Sequence, residues 1–313
     1  MSAPHILATG RCLPGRVVTN EELSRTVDTS DEWVFSRTGI HSRCFCEAET
    51  GLDLALGAAR QAMERAEVTA ADIGVCLVGT FTPDHASPST ACLLQRALGL
   101  EEDTVCFDLN AACAGFLYGL KTAHALLSDA ARPYALVVGA EVISRVMDMA
   151  DRNTCVLFGD GAGAAVIRRE EDRAWHTVFG SRGDPDSIRV QGPGPVPSSI
   201  HMDGKAVFRF AVEVVEGSIR QLLAAEGLES VNDLDLVVCH QANARIVDYV
   251  AKRLKAREGL FYKNMDRYGN TSAASIPIAL DELVQDGALR PGMRLATVGF
   301  GGGLTWAGAL LRW

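Results

Sequence analysis

What most limits the folds open to this chain is an echo of its first half in its second, at a constant shift of 160 residues. Gln61 falls on Gln221, Met63 on Leu223, Leu77 on Val237, Val78 on Val238, Leu120 on Leu280, Val138 on Val298 and Gly139 on Gly299. Two buried strands match apolar-to-apolar by chance fairly often. The weight lies in one shift that holds from a helix through two strands without a gap, and it predicts an internal duplication. The 313 residues divide accordingly into two similar halves, 1–170 and 171–313, with the polar run 168–173 (RREEDR) as the surface crossing between them.

The segments 74–79 (GVCLVG), 104–109 (TVCFDL), 134–139 (YALVVG), and 155–158 followed by 163–167, read as buried strands. Apolar spacing predicts helices over 53–66 and 114–127. Helices between buried strands define an α/β protein with a mostly parallel sheet. A chain that is 48% hydrophobic and 22% charged can bury a sizeable core. The net charge of -9 argues against a nucleic-acid partner unless the basic residues cluster on one face. The first residues lack the apolar run of a signal peptide. The least polar stretch, 295–311, is broken by Gly299, Gly301, Gly302, Gly303 and Gly308, so it reads as strand and turn and not as a membrane span. Nine cysteines, an odd number, read as free thiols in a reducing cytosol, so a special one is special for its reactivity.

Under the same shift Thr80 maps to His240 and Cys113 to Ala273, each at a strand's C-terminal end or the start of the next helix. Sites in parallel sheets form at that edge, so two halves packed face to face would bring Cys113 and His240 toward one cleft. Cys113 lies among small residues (DLNAACAGF), where a helix is expected to begin. The positive end of a helix dipole lowers a thiol pKa from about 8.5 to roughly 3.5–7.5 in favourable cases. Cys76, Cys92, Cys106, Cys155 and Cys239 read as buried structural thiols. His240 (HQANARI), Asn270 (RYGNTSAAS) and the run 299–306 (GFGGGLTW) each have a bland reading alone: a satisfied histidine, a turn or cap residue, a tight turn. Together they define a reaction type. A cysteine carries an acyl group as a thioester, His and Asn donate hydrogen bonds to a second carbonyl, and backbone N–H groups hold an oxyanion. A condensation driven by decarboxylation needs no acidic residue, because loss of carbon dioxide generates the carbanion.

These motifs, with 27–33 (VDTSDEW), 37–40 (RTGI) and 158–163 (FGDGAG), resemble β-ketoacyl-acyl-carrier-protein synthase III of the thiolase-like condensing superfamily over essentially the full chain. The resemblance implies two α/β halves with mixed five-stranded sheets in a layered αβαβα arrangement. It implies that an acyl-CoA acylates Cys113 and that malonyl-acyl-carrier protein then enters. His240 and Asn270 would bind the malonyl thioester oxygen, the amides of Cys113 and Gly302 would form the oxyanion hole, and Phe300 would wall the malonyl carboxylate. Trp33 and Arg152 would stack on the CoA adenine with Arg37 holding the nucleotide, and Thr29, Gly204 and Asn243 would line the pantetheine route. Arg209, Arg245, Lys252 and Arg253 form a basic set, Arg245 and Lys252 on one face of a helix over 241–256, that would steer an acidic carrier protein. The loop 86–89 would cross a homodimer interface to floor the acyl pocket. Ser87 stands where acetyl-preferring members carry Phe, which predicts longer or more branched primers. No metal or redox cofactor, nucleic acid or membrane is expected, and the location is cytoplasmic.

Asn270 replaces the second histidine of chain-elongating synthases, and 300–306 lacks the second cysteine of thiolases; plant-type polyketide synthases share Cys, His and Asn. Three readings of another kind stay open. They are a specialised polyketide or quinolone pathway, a cysteine α/β-hydrolase built on half of an elbow motif (AACAG), and a non-catalytic acyl-CoA or carrier-protein binding module. His41, Cys44 and Cys46 resemble half a metal site with no matching half.

Overall fold

In a computed structural model that describes residues 2–171, 175–192 and 199–313, the repeat becomes two sheets. The first has the order Ser2–Cys12, Gly161–Glu171, Tyr134–Glu141, Ile73–Gly79, Val105–Leu109. Ile73–Gly79 runs parallel to both its neighbours, and Gly161–Glu171 runs antiparallel to both of its own. The second sheet repeats the order and the senses with His176–Asp184, Gly303–Arg312, Arg294–Gly301 and Leu236–Cys239. Its fifth position is reduced to one parallel bridge, Val237 to Phe261. The shift read from the sequence holds residue for residue where it matters. Strand Tyr134–Glu141 lands on Arg294–Gly301, and the tight turn Ala112–Ala114 lands on Ser272–Ala274.

Five layers result. Helix Gly51–Arg65 covers the outer face of the first sheet and Gly204–Glu226 that of the second. Helices Gly115–Leu126 and Ser275–Gln285 lie between the sheets, touching both, in one continuous apolar core. Burial of these faces at roughly 25 cal/mol per Å² of apolar surface supplies the main folding drive. A polar clamp ties the halves as well. Asp281, buried on the second central helix, accepts from Thr9 Oγ1 at 2.9 Å, Arg65 at 2.6 Å and Arg11 at 3.1 Å.

Four local expectations are corrected. Residues 155–157 form turns and Phe158 keeps only one parallel bridge, to Asn270, because their backbone groups are committed elsewhere: Cys155 N–H donates to Asp151, and the carbonyls of Val156 and Leu157 accept from Arg43 and Asn270. Arg168–Glu171 is no crossing but the tail of a strand paired with Ser2–His5; 172–173 lie outside the described residues. The helix expected over 241–256 is Ala244–Arg253, capped by Asn243 Oδ1 accepting from Arg245 N–H. Among the thiols read as buried, Cys92 is exposed and Cys106 half-buried.

Candidate active site

A cavity of about 490 Å³ runs inward from the surface and ends on Cys113, His240 and Asn270. The fold explains the gathering. Cys113 sits in the turn between strand Val105–Leu109 and helix Gly115–Leu126, His240 directly follows strand Leu236–Cys239, and Asn270 precedes the turn Ser272–Ala274. The two turns lie against each other across the halves. A Cβ on Gly139 would stand 2.3 Å from the Ala273 carbonyl oxygen, so only glycine lets the second turn approach the first sheet.

Cys113 does not start the α-helix, which begins at Gly115; it occupies a 3₁₀ turn entered through Ala112 at φ +44°. The thiol is 8% exposed. Burial, with the Glu141 charge adding to it, pushes its pKa up to about 12. The lowering expected from a helix terminus is outweighed, and the resting sulfur is a neutral thiol. A Cβ on Gly301 would lie within 2.9 Å of Cys113 N and 3.0 Å of Sγ, so this glycine is the cavity wall against the nucleophile. Gly302 is one residue further out, with room for a side chain beside Ala112 and Ile188.

His240 is buried, and burial drives its pKa down to about 3, so the ring is neutral. Its Nδ1 lies 2.7 Å from Ser275 Oγ, which accepts from Gln241 N–H at 3.3 Å. When the hydroxyl donates to Nδ1, the imidazole carries its own proton on Nε2. Phe300 meets the ring edge-on at 5.2 Å between centroids. Asn270 Oδ1 accepts from Ser272 N–H at 2.9 Å, which fixes the amide and leaves Nδ2 as the donor free of any described partner. In that tautomer the floor presents a thiol and two neutral N–H donors.

Farther out, the guanidinium groups of Arg37 and Arg152 lie over the Trp33 ring, 4.4 and 4.6 Å from its centroid. Arg152 also donates to the Asp28 carbonyl, and Asn243 Nδ2 donates to the Arg37 carbonyl. Gly204 and Asn243 line the cavity; Thr29 does not, although its buried Oγ1 has no described partner. Phe208, Lys205, Ile246 and Asn153 complete the mouth, and the sequence held no signal for them. Arg209, Arg245, Lys252 and Arg253 are exposed outside it, Arg253 bonded to Glu216 at 3.1 Å. Ser87 is exposed and away from the cavity. Burial raises the Cys44 and Cys46 thiols, the latter to about 12. No cluster of three His, Cys, Asp or Glu with metal-binding geometry occurs among the described residues.

Profiles of 3-oxoacyl-[acyl-carrier-protein (ACP)] synthase III match residues 107–183, and of its C-terminal part residues 223–313. The β-ketoacyl-[acyl-carrier-protein] synthase III of Clostridium acetobutylicum is 42% identical over 100% of this chain and 99% of its own. The chain belongs to the β-ketoacyl-acyl-carrier-protein synthase III family. Solved structures of such synthases from Aquifex aeolicus and Thermus thermophilus agree, with 39% and 40% identity and TM-scores of 0.93 and 0.91. They cover 99% and 98% of this chain, and 100% and 98% of their own is covered. A priming β-ketosynthase from the R1128 polyketide pathway is similar too, 37% identical with a TM-score of 0.93 over 99% of this chain and 96% of that one. Membership of the synthase III family makes the chain an acyltransferase-type condensing enzyme with a thiolase-like fold.

Proposed function

We propose that the chain joins an acyl-CoA primer to malonyl-acyl-carrier protein by decarboxylative Claisen condensation, yielding 3-oxoacyl-carrier protein, CoA and carbon dioxide at the start of fatty-acid synthesis. The observation that carries this reading is the shared cavity floor of Cys113, His240 and Asn270, reached past Trp33, Arg37 and Arg152. The Cys113 sulfur takes the acyl group while the amides of Cys113 and Gly302 hold the oxyanion. His240 Nε2–H and Asn270 Nδ2–H then grip the malonyl thioester oxygen. Both donors are neutral, so the enolate gains hydrogen bonds without a proton being taken from carbon. Phe300 supplies an apolar wall that disfavours the malonyl carboxylate and favours its loss.

In this reading CoA stacks its adenine on Trp33 and Arg152, with Arg37 on the nucleotide and Thr29, Gly204 and Asn243 along the pantetheine. Arg209, Arg245 and Lys252, exposed and outside any described ion pair, meet the acidic carrier protein; Arg253 is partly satisfied by Glu216. The enzyme works as a homodimer in the cytoplasm and uses no cofactor besides its substrates. Val105 and Phe107, exposed on the edge strand of the first sheet, support a partner along that edge, and Ser87 is free to reach a partner's pocket. Similarity to the polyketide priming enzyme favours one second reading, the same chemistry in a specialised pathway.

Intact-mass analysis after incubation with acyl-CoAs tests the proposal. A Cys113 adduct discharged only by malonyl-carrier protein supports it, rapid discharge by water points to a hydrolase, and no adduct to a binding module. A panel of primers then separates acetyl-starting synthesis from a specialised route.

A further inference from the structure

Glu141 ends strand Tyr134–Glu141 with no exposure to solvent, and no step above uses it. Its Oε2 accepts from Thr80 Oγ1 at 3.1 Å, Thr82 Oγ1 at 2.5 Å and Phe81 N–H at 3.2 Å. Its Oε1 is also buried and closes no hydrogen bond. The Ser272 hydroxyl, held by the second turn at φ +50°, is likewise buried without a bond of ordinary geometry. The turn carrying Ser272 packs on both the Cys113 turn and the strand that ends at Glu141, and its hydroxyl lowers the pKa of the thiol and of the carboxyl alike. Buried oxygens are almost always paired, so two that are not, on the elements that enclose the nucleophile, call for an account.

We propose that Ser272 and Glu141 form a proton relay for the Cys113 thiol during acylation. The inference rests on Cys113 being the acyl carrier. As Cys113 Sγ attacks the thioester carbon, its S–H bond breaks and the proton passes to Ser272 Oγ, whose own proton moves to Glu141 Oε1. When the adduct collapses, the carbon–sulfur bond to CoA breaks, and the proton returns by the same path to the departing sulfur. Thiol and thioester are exchanged, and no co-reactant is needed.

The alternatives are weaker. His240 is a poor base at about 3, and its Nδ1 is occupied by Ser275. Burial raises Glu141 to about 7, which suits a group that must take and return a proton near neutrality. The other groups facing Glu141 are Thr80, Thr82 and the Phe81 amide from one loop and Ser272 from the opposite half; the Cys113 thiol is the titratable one.

The test is single-turnover acylation of the full-length enzyme by acetyl-CoA or hexanoyl-CoA, read by rapid quench and intact mass from pH 5.5 to 9. Wild-type acylation should rise with pH as Glu141 ionises. Glu141→Gln, which keeps an acceptor for Thr80 and Thr82, should lower the rate about 100-fold at pH 7.5 and flatten the profile, within the roughly 10²–10⁴ range of acid–base catalysis. Ser272→Ala keeps the N–H that holds Asn270 and should cost about tenfold. Malonyl-carrier-protein decarboxylation by both variants should stay within about twofold, which separates a relay from damage to the site. Wild-type rate and profile in Glu141→Gln, or acylation and decarboxylation falling together, would overturn the relay. If Glu141→Gln does not fold, Ser272→Ala decides by the same comparison. Absence of a Cys113 adduct in wild type would instead overturn the acyl-carrier reading.

Discussion

The two turns at the centre of the molecule share a backbone and differ in what they carry. Ala112–Ala114 and Ser272–Ala274 are both 3₁₀ turns entered at positive φ, each leading into a central helix. The first holds the Cys113 thiol at the cavity end. The second holds Ala273, 1% exposed and no part of the cavity wall, surrounded by polar groups that serve the first: Asn270, Ser272 and Ser275. At the strand ends the contrast repeats, with Thr80 bonded to Glu141 in one half and His240 facing the cavity in the other. Duplication supplied one geometry twice, and the chemistry arose from making the copies unequal.

The largest effects should come from trying to exchange their roles. Cys113→Ala should abolish the acyl adduct, and adding Ala273→Cys should not restore it, because position 273 has no access to the cavity; an adduct on 273 by peptide mass mapping would break the asymmetry. His240→Ala and Asn270→Ala should still acylate, while condensation falls about 10²–10³-fold for each lost donor, measured in single turnover with malonyl-carrier protein. Asp281→Ala removes the acceptor at which Thr9, Arg11 and Arg65 of the first half meet, leaving both guanidinium groups without their carboxylate, with Arg65 still donating to the Thr9 carbonyl and Gln61. Both guanidinium groups are partly exposed and keep access to water, so a loss of about 1–3 kcal/mol in denaturant unfolding is expected, chiefly from the buried Thr9 hydroxyl left without its acceptor.

The halves should also respond oppositely to pH. His240 has its pKa lowered from 6.5 to about 3, so the unfolded chain binds a proton that the native ring refuses, and stability is lost as pH falls below 6.5. Glu141 is raised from 4.5 to about 7, so the native state keeps a proton, and stability is lost as pH rises through that interval. Between 4.5 and 6.5 the two contributions oppose each other. Relative to wild type, His240→Phe should leave stability falling with pH and Glu141→Gln leave it rising, by at most about 1.4 kcal/mol per pH unit in either direction. Equal slopes in thermal melts would refute the opposition. The smallest effect is expected in the exposed loop 86–89: if it floors a partner's acyl pocket as proposed, Ser87→Phe should cut kcat/KM for hexanoyl-CoA about tenfold while sparing acetyl-CoA.

The repeat, most strands and the meeting of Cys113 and His240 in one cleft were legible in the sequence because strand periodicity and strand-end positions are local signals that one constant shift multiplies. Cys113 stands out by its small neighbours, while His240 and Asn270 read as ordinary residues alone and gain meaning only when taken together with it. Ser275 and Glu141 could not be assigned work, since Ser275 meets His240 only through the fold and Glu141 looks like the polar end of a strand. The thiol's titration was misread for a similar reason. A helix terminus is visible in sequence, but the desolvation that outweighs it comes from the other half of the chain. Residues 155–158 carried a strand's composition, yet Arg43 and Asn270, remote in sequence, hold their carbonyls.

The glycine pressed against the nucleophile lies at position 301, a dozen residues from the end of the chain. Its place depends on the strand Gly303–Arg312 pairing with Arg294–Gly301, so the wall that closes over the first half's sulfur is built wholly by the second half. Even the smallest side chain at 301 would press on the sulfur and the Cys113 amide at once, so a single missing Cβ sets how closely the two halves can meet around the nucleophile.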